Sequence, residues 1–215
     1  QTLLMQVNQV HKKPELYQPV NRIEVKSWHA LRRCDDRFEM ATRYFKENNI
    51  QLNSMVDLAC SYGYFPTAFK KQGVRVLGVD RDPKALLIAK LVNQLNEDEL
   101  LHDRIENFLA TTQEKYDLTV FLSILHHYAL GREPGEAVKI LQQVAAITNK
   151  AMLFDTGQNH EKWFRRTLKK WDDTYIIDFI KSNTDFNEVI VLGKDRDNVS
   201  HYADNYARTL FLCLK

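Results

Sequence analysis

Apolar runs alternate with amphipathic segments along most of the chain, an order typical of an α/β protein with a parallel sheet. Two runs, 55–58 and 74–80, have the length and β-branched content of buried strands. Further strands are predicted over 116–122 and 151–154. The pattern therefore predicts one sheet whose strands are separated by helices.

Helices are predicted where apolar residues recur at intervals of three and four. Two late strands, over 188–192 and 208–213, can pair as an antiparallel edge, and a long polar link over 193–206 lies between them. The predicted helices are 35–48, 66–72, 82–90, 136–148, a basic helix over 160–170, and 174–182.

Candidate chemistry lies where the first two strands end. The small residues Ala59, Ser61 and Gly63 follow the first strand, at a sharp turn into a helix where a ligand can approach the backbone. Asp80 ends the second strand, and a carboxylate there can accept hydrogen bonds from both hydroxyls of a ribose. The pattern predicts a ligand that resembles a nucleotide.

Two classes of nucleotide ligand use this plan. A dinucleotide needs a third glycine beside its pyrophosphate, but Tyr64 occupies that position, which makes a poor phosphate site. S-adenosylmethionine has no phosphate and carries a sulfonium and an amino-acid end, for which Asp57 offers a carboxylate. The residues therefore favour S-adenosylmethionine.

Three segments resemble the signature motifs of class I S-adenosylmethionine-dependent methyltransferases: 56–65 (VDLACSYGYF), 78–80 (GVD) and 116–127 (YDLTVFLSILHH). The resemblance extends over about residues 50–155. That family usually has a first loop richer in glycine, whereas this chain has Ala59 and Ser61. Within the class, the sequence is similar to methyltransferase domains of bacterial O-antigen chain-capping enzymes, and more distantly to RNA 5′-phosphate-capping methyltransferases.

The resemblance implies a Rossmann-like class I methyltransferase sheet, mostly parallel with an antiparallel C-terminal edge strand. The first residues are polar, contain Pro14 and Pro19 and show no sustained period, which predicts an arm over residues 1–34 that covers the cofactor site, followed by a methyltransferase domain over residues 35–215. The expected cofactor is S-adenosyl-L-methionine, without a metal; Arg33 is the alternative to Arg37 for its methionine carboxylate. The expected cofactor contacts are Arg37, Asp57, Ala59, Ser61, Gly63, Asp80, Arg81, Asp103, Ile105, Leu122 and Ser123.

Four residues are candidates for catalysis. His126 and His127 follow the strand predicted over 116–122, where the reactive methyl group is expected, and we predict that one points inward and the other outward. Asp155 and His160 lie in a polar cluster after the strand predicted over 151–154, at the edge where α/β proteins bind ligands. A histidine base would assist transfer to a hydroxyl, whereas a phosphate oxygen needs no base.

Composition adds weaker expectations. Thirty basic and 28 acidic residues give a net charge of +2, which disfavours nucleic acid as a partner. The basic segment 162–170 either guides an anionic acceptor or is a solvated face. Cys34, Cys60 and Cys213 are odd in number and lack metal-ligand spacing, as expected of a cytoplasmic protein. No membrane span or signal peptide is predicted.

The predicted function is methyl transfer to a small-molecule or saccharide/phosphate acceptor, at oxygen. The alternatives are a noncatalytic S-adenosylmethionine-binding module and, with less support, an RNA methyltransferase. A nicotinamide-dependent oxidoreductase is disfavoured because the third glycine and a suitably placed Tyr-x-x-x-Lys pair are both absent. The sequence leaves the acceptor, its reacting atom and the oligomeric state open.

Overall fold

The computed structural model describes residues 15–20, 29–30, 32–130, 135–196 and 207–215. Most of the predicted arm over 1–34 and most of the polar link over 193–206 lie outside these ranges. The strands in the described ranges are β1 (Glu15–Leu16), β2 (His29–Ala30), β3 (Ser54–Leu58), β4 (Arg75–Asp80), β5 (Leu100–His102), β6 (Tyr116–Leu122), β7 (Thr148–Asp155), β8 (Glu188–Lys194) and β9 (Thr209–Leu214).

Seven of these strands form one sheet in the order β5-β4-β3-β6-β7-β9-β8. Strands β3 to β7 pair in parallel, whereas β9 is antiparallel to both β7 and β8. The β8–β9 pair supplies the predicted antiparallel edge, with β9 inserted between β7 and β8. The predicted α/β fold with a mostly parallel sheet is therefore confirmed. The small strands β1 and β2 pair with each other in parallel.

Most helices lie close to their predicted positions. Asp82 caps one of them by accepting a hydrogen bond from the backbone N–H of Lys84, and Pro83 follows as its first residue, as its fixed φ favours. The helices are α1 (Asp35–Glu47), α2 (Tyr64–Lys70), α3 (Pro83–Leu91), α4 (Ile105–Thr111), α5 (Leu125–Ala129), α6 (Glu136–Ala146) and α7 (Asp173–Asn183). None of the helices in the described ranges is long and apolar enough to cross a membrane.

The basic helix predicted over 160–170 is wrong, since the structure has consecutive turns there. Phe164 donates its backbone N–H to the carbonyl of Glu161, and Thr167 donates to the carbonyl of Phe164. The buried side chain of Glu161 binds Arg208, which is distant in the sequence, and the ring of Phe164 packs against His126. Tertiary contacts of the apolar and acidic side chains therefore outweigh the local helical spacing.

Two hydrophobic clusters cover the two faces of the sheet. Adjacent side chains of a strand point to opposite faces, so Val56 enters one cluster and Met55 the other, as do Phe154 and Leu153. One cluster includes residues of α4, α6 and α7, and the second includes residues of α1, α2 and α3. Because both faces are covered, the carboxyl ends of the parallel strands are left to form a site.

Candidate functional site

A pocket of about 350 Å³ opens at the carboxyl ends of β3, β4 and β6. The residues of its wall that the sequence predicted as cofactor contacts are Arg37, Asp57, Ala59, Ser61, Asp80, Arg81, Ile105, Leu122 and Ser123. The structure therefore brings nine of the predicted cofactor residues together around one cavity. The sequence missed Phe65, Arg104, Glu106, Ile124 and Tyr128, all neighbours of predicted residues or motifs, and also Tyr17 and Gln18 of the arm.

Asp57 lies near the end of β3 and is buried. Its Oδ2 atom has no hydrogen-bond partner among the described residues. Burial raises the pKa of this carboxyl well above its ordinary value, and the nearby Asp80 raises it further, although the positive charge of Arg37 opposes both effects. A buried carboxylate oxygen without a partner is costly, so this atom offers a site for a cationic group.

Asp80 is held at the tip of β4 by the backbone. Its Oδ2 accepts a hydrogen bond from Ser61 N–H at 2.7 Å, and its Oδ1 accepts one from Asp82 N–H at 2.9 Å. These two bonds fix the orientation of the carboxylate, and each oxygen keeps a second lone pair for a ligand. Asp80 is therefore preorganised to accept hydrogen bonds from a vicinal diol.

The loop after β3 has the backbone geometry of a glycine-rich loop without the glycines. Ala59 and Ser61 have φ angles of 64° and 52°, in the left-handed region where glycine is favoured. Ala59 N–H donates to the carbonyl of Val79 at 2.8 Å, and Ser61 N–H binds Asp80. These tertiary bonds hold the strained conformation, so a departure from the usual composition leaves the loop geometry in place.

Gly63 does not line the pocket among the described residues, although it was a predicted contact. It precedes α2 with a φ angle of 74°, and a Cβ atom there would lie 2.6 Å from Leu95 Cδ1 and 3.2 Å from Ala89 Cβ. The structure thus places Gly63 at the contact between the start of α2 and the segment around α3. Its role is close packing behind the loop.

Asp103 is also outside the pocket wall. Its Oδ1 accepts hydrogen bonds from Arg104 N–H at 2.7 Å and from Asn107 Nδ2 at 3.0 Å, at the start of α4. Its neighbours Arg104 and Ile105 line the cavity in its place. The segment around Asp103 does reach the pocket, but the side chain of Asp103 itself accepts hydrogen bonds at the start of α4.

Asp155, a candidate for catalysis, is fully buried at the end of β7 and lies outside the pocket wall. Its Oδ2 accepts a hydrogen bond from Arg37 at 3.1 Å and lies 3.6 Å from Arg32 Nη2. Its Oδ1 accepts one from Ser123 Oγ at 2.8 Å and lies 3.7 Å from Arg208 Nη1. Burial alone would raise the pKa of Asp155, but the three arginines outweigh it and hold the pKa at about 2.

These contacts make Asp155 the centre of a buried charge network. Asp195 joins it by accepting a hydrogen bond from Arg32 at 2.5 Å, and Glu161 accepts two from Arg208, at 2.8 and 3.0 Å. The three arginines and three acids come from six separate segments, and no local pattern in the sequence connects Glu161 with Arg208. The network joins the arm, α1, β7, the loop after β7, the residue that follows β8 and the residue that precedes β9.

His126 is buried and His127 is exposed, in line with the prediction of one inward and one outward side chain, although their ring centroids lie only 4.3 Å apart. His126 is buried, and its Nδ1 accepts a hydrogen bond from Gly157 N–H at 3.1 Å. Burial lowers the pKa of His126 to about 3, helped by the positive charge of Arg208. His127 is exposed and lines the pocket. His160 is exposed and does not line it.

The residues present fit S-adenosylmethionine. The unpartnered Oδ2 of Asp57 suits the ammonium group, and the two fixed oxygens of Asp80 suit the ribose hydroxyls. Ile105 and Leu122 offer apolar contact in the same wall, and the cavity volume of about 350 Å³ lies in the range of small-molecule sites. The arrangement of charge and apolar surface therefore agrees with the cofactor that the sequence predicted.

Comparison with known proteins supports the same cofactor and fold. Residues 56–148 match a family model described as a methyltransferase domain. Over 151 residues the chain is 25% identical to the O-antigen chain terminator bifunctional methyltransferase/kinase WbdD of Escherichia coli, which covers 67% of this chain and 21% of WbdD. The aligned part is therefore a minor share of the length of WbdD.

Solved structures show the same fold. A crystal structure of WbdD superposes with a TM-score of 0.73 at 21% identity, covering 98% of this chain and 46% of that chain. The N-methyltransferase NodS from Bradyrhizobium japonicum WM9 superposes with a TM-score of 0.58 at 12% identity, covering 84% of this chain and 94% of NodS. An S-adenosylmethionine-dependent methyltransferase from Clostridium acetobutylicum ATCC 824 superposes with a TM-score of 0.57 at 13% identity, covering 82% of this chain and 89% of that chain.

Proposed function

We propose that this chain, a class I S-adenosylmethionine-dependent methyltransferase, transfers a methyl group to an oxygen atom of a small-molecule or saccharide/phosphate acceptor. The observation that carries the proposal is one pocket lined by both Asp57, whose Oδ2 has no hydrogen-bond partner among the described residues, and Asp80, whose carboxylate is fixed by backbone hydrogen bonds. The similarity to WbdD, described as an O-antigen chain terminator, favours a saccharide-related acceptor.

S-adenosylmethionine, when bound, supplies a methyl group on a sulfonium that is already a good leaving group. The protein then has to hold the two reactants in line, which can contribute a large part of the rate acceleration. In our proposal Asp57 binds the ammonium group, Asp80 binds the ribose, and Arg37 attracts the methionine carboxylate. Arg37 is fixed for this task by its hydrogen bond to Asp155.

His127 is the general base that we propose for a hydroxyl acceptor. It lines the pocket and is exposed, so a ligand can reach its ring. His126 is not suited to this role, because its Nδ1 already accepts a hydrogen bond and its pKa lies at about 3. Asp155 is a positioning residue, because its oxygens bind Arg37 and Ser123.

The arm is proposed to cover the cofactor site, with a boundary near residue 34. Tyr17 and Gln18 line the pocket, and Gln18 Oε1 accepts a hydrogen bond from Tyr64 N–H at 3.4 Å. Arg32 links the arm to the buried network through Asp195. Slower hydrogen exchange of residues 15–20 on addition of S-adenosylhomocysteine would support the proposal that the arm covers the cofactor site, and unchanged exchange would contradict it.

We also propose that the protein is located in the cytoplasm.

Calorimetric titration with S-adenosylmethionine, S-adenosylhomocysteine and NAD tests the cofactor assignment. We expect the first two to bind and NAD not to bind. Asp80→Asn should weaken binding by about 100-fold, since it removes the charge from hydrogen bonds worth about 1.5–3 kcal/mol each. Asp185→Asn, at an exposed acid far along the chain, is the control. Tight binding of NAD alone, or no binding at all, would refute the assignment.

The acceptor proposal is tested by S-adenosylhomocysteine release with a panel of sugars, sugar phosphates, amino sugars and an RNA oligonucleotide. Amino sugars belong in the panel because NodS is described as an N-methyltransferase. With a hydroxyl acceptor, His127→Gln should lower kcat by about 10²–10⁴-fold. His160→Gln should not, because His160 is outside the pocket wall. Turnover of RNA alone, or equal losses in both variants, would contradict the proposal.

A further inference from the structure

A loop rich in basic residues follows β7 on the same side of the sheet as the pocket. Its residues 162–170 include no acid, and all five of its cationic side chains are exposed. Trp163 lies among them and is 43% exposed, one of the few large hydrophobic residues on the described surface. The five exposed cations are Lys162, Arg165, Arg166, Lys169 and Lys170.

A row of rings connects this loop to the wall of the pocket. His127 lines the pocket, and its ring centroid lies 4.3 Å from that of His126. The centroid of Phe164 lies 4.9 Å from His126 and 6.3 Å from Trp163. Trp163 is therefore the exposed outer end of a continuous row that begins at the proposed base.

Hydrogen bonds make a second connection between the loop and the pocket. Trp163 Nε1 donates to Glu161 Oε2 at 2.8 Å, and Glu161 binds Arg208 through both oxygens. Arg208 Nη1 donates to Ser123 Oγ at 2.8 Å, and Ser123 lines the pocket. Glu161 and Arg208 are buried, so this link is shielded from solvent and holds the loop in a fixed position.

This double attachment distinguishes the loop from an ordinary solvated basic face. The N–H of Trp163 is satisfied inside the protein, so the exposed part of the indole is an apolar surface in a fixed place. The fixed indole face can contact a sugar ring, and the clustered cations beside it can pair with the anionic groups of the sugar. Because the loop is already fixed, binding costs little conformational entropy.

We propose that the loop 162–170 is a docking surface for a polyanionic saccharide chain, whose end then reaches the pocket past His127. The inference rests on the proposed methyl transfer and narrows its acceptor to a chain that carries negative groups outside the reacting unit. Five cations within nine residues match several anionic groups in succession along such a chain.

The probe is a heparin-derived octasaccharide, compared with the neutral maltooctaose. Calorimetric titration at low salt should show binding of the first only. The triple variant Lys162→Gln, Arg165→Gln, Arg166→Gln should weaken it about tenfold or more and reduce its salt dependence. Trp163→Ala should weaken it further. The control triple Lys46→Gln, Lys84→Gln, Lys115→Gln removes three exposed cations elsewhere and should change affinity less than about twofold.

Equal losses in the two triple variants would overturn the proposal, because the attraction would then be unspecific. Phosphatidylglycerol vesicles are a second probe, and loop-dependent binding to them in the absence of octasaccharide binding would assign the surface to a lipid and also overturn it. S-adenosylmethionine should bind both triple variants as it binds the wild type. If the wild type does not bind S-adenosylmethionine, the proposed function is refuted. The octasaccharide titration would still show whether the loop is a docking surface.

Discussion

Replacing Asp155 by asparagine tests the buried charge network most directly. The side chain keeps its shape but loses its charge, while Arg32, Arg37 and Arg208 remain in the same buried region. The pKa of Asp155 is about 2 instead of the ordinary 3.8, so the ionised carboxylate contributes about 2 kcal/mol to stability. Leaving buried charges without their partner typically costs about 3–5 kcal/mol. We therefore expect Asp155→Asn to lower the free energy of unfolding by about 3 kcal/mol at pH 7.

Urea unfolding followed by circular dichroism measures this loss, and the melting temperature should fall by about 6–12 °C for a chain of this size. The pH dependence has a defined sign. A carboxyl whose folded pKa is depressed stabilises the fold above its unfolded value of 3.8, and this contribution disappears as pH falls towards about 2. The difference between wild type and variant should therefore be constant from pH 7 to pH 5 and shrink below pH 4.

Asp185→Asn is the matched control, since Asp185 pairs with Lys215 at the surface with 74% of its side chain exposed. Such a pair contributes about 0–1 kcal/mol, so this variant should unfold almost as the wild type does. If Asp155→Asn loses no more stability than Asp185→Asn, the ion pairs of Asp155 with the three arginines do not stabilise the fold, and the prediction is wrong.

Three further predictions concern single residues. Asp57→Asn should weaken S-adenosylmethionine binding about 100-fold, which titration measures. In the ligand-free protein at pH 7 the same variant should raise the free energy of unfolding, because burial raises the pKa of the Asp57 carboxyl and the fold therefore loses stability as pH rises above 3.8. Urea unfolding checks this second effect, and a less stable variant would contradict it. Gly63→Ala should lower the free energy of unfolding by about 2–3 kcal/mol, because the added Cβ would meet Leu95. Gly73 also has a positive φ but a Cβ there would meet no atom, so Gly73→Ala should lower the free energy of unfolding by only about 1 kcal/mol. Equal melting temperatures of the two variants would refute the packing role of Gly63. The ring of His126 should keep constant NMR shifts from pH 5 to pH 8, since its pKa lies at about 3, and a titration in that range would contradict its buried, hydrogen-bonded state.

The sequence was most informative where local pattern and burial agree. The runs that became β3, β4 and β6 are mostly apolar because both faces of the sheet are covered, and Asp57 and Asp80 stand out as carboxylates near the carboxyl ends of β3 and β4. The carboxyl ends of parallel strands meet at one edge, so placing the strands also placed most of the pocket wall.

Individual roles were less accessible. Asp103 and Gly63 lie in the correct segments, but whether a side chain faces the cavity or the packing behind it depends on a rotation of the backbone that spacing does not report. The helix predicted over 160–170 failed because Glu161 and Phe164 bind partners on other elements. The sequence predicted that one of the two histidines is turned inward, but it did not tell which of them is buried.

The sequence by itself determined the parallel sheet, most of its elements and the two carboxylates for which we propose a role in cofactor binding, because these follow from hydrophobic periodicity and from chemistry at strand ends. Only the tertiary structure decided that Asp155 is a buried ion partner, that Glu161 and Arg208 connect the basic loop to Ser123, and that His127 alone of the pair reaches the pocket. The physical reason is distance along the chain: charges and hydrogen bonds act between side chains that are close in space, and Glu161 and Arg208 are 47 residues apart.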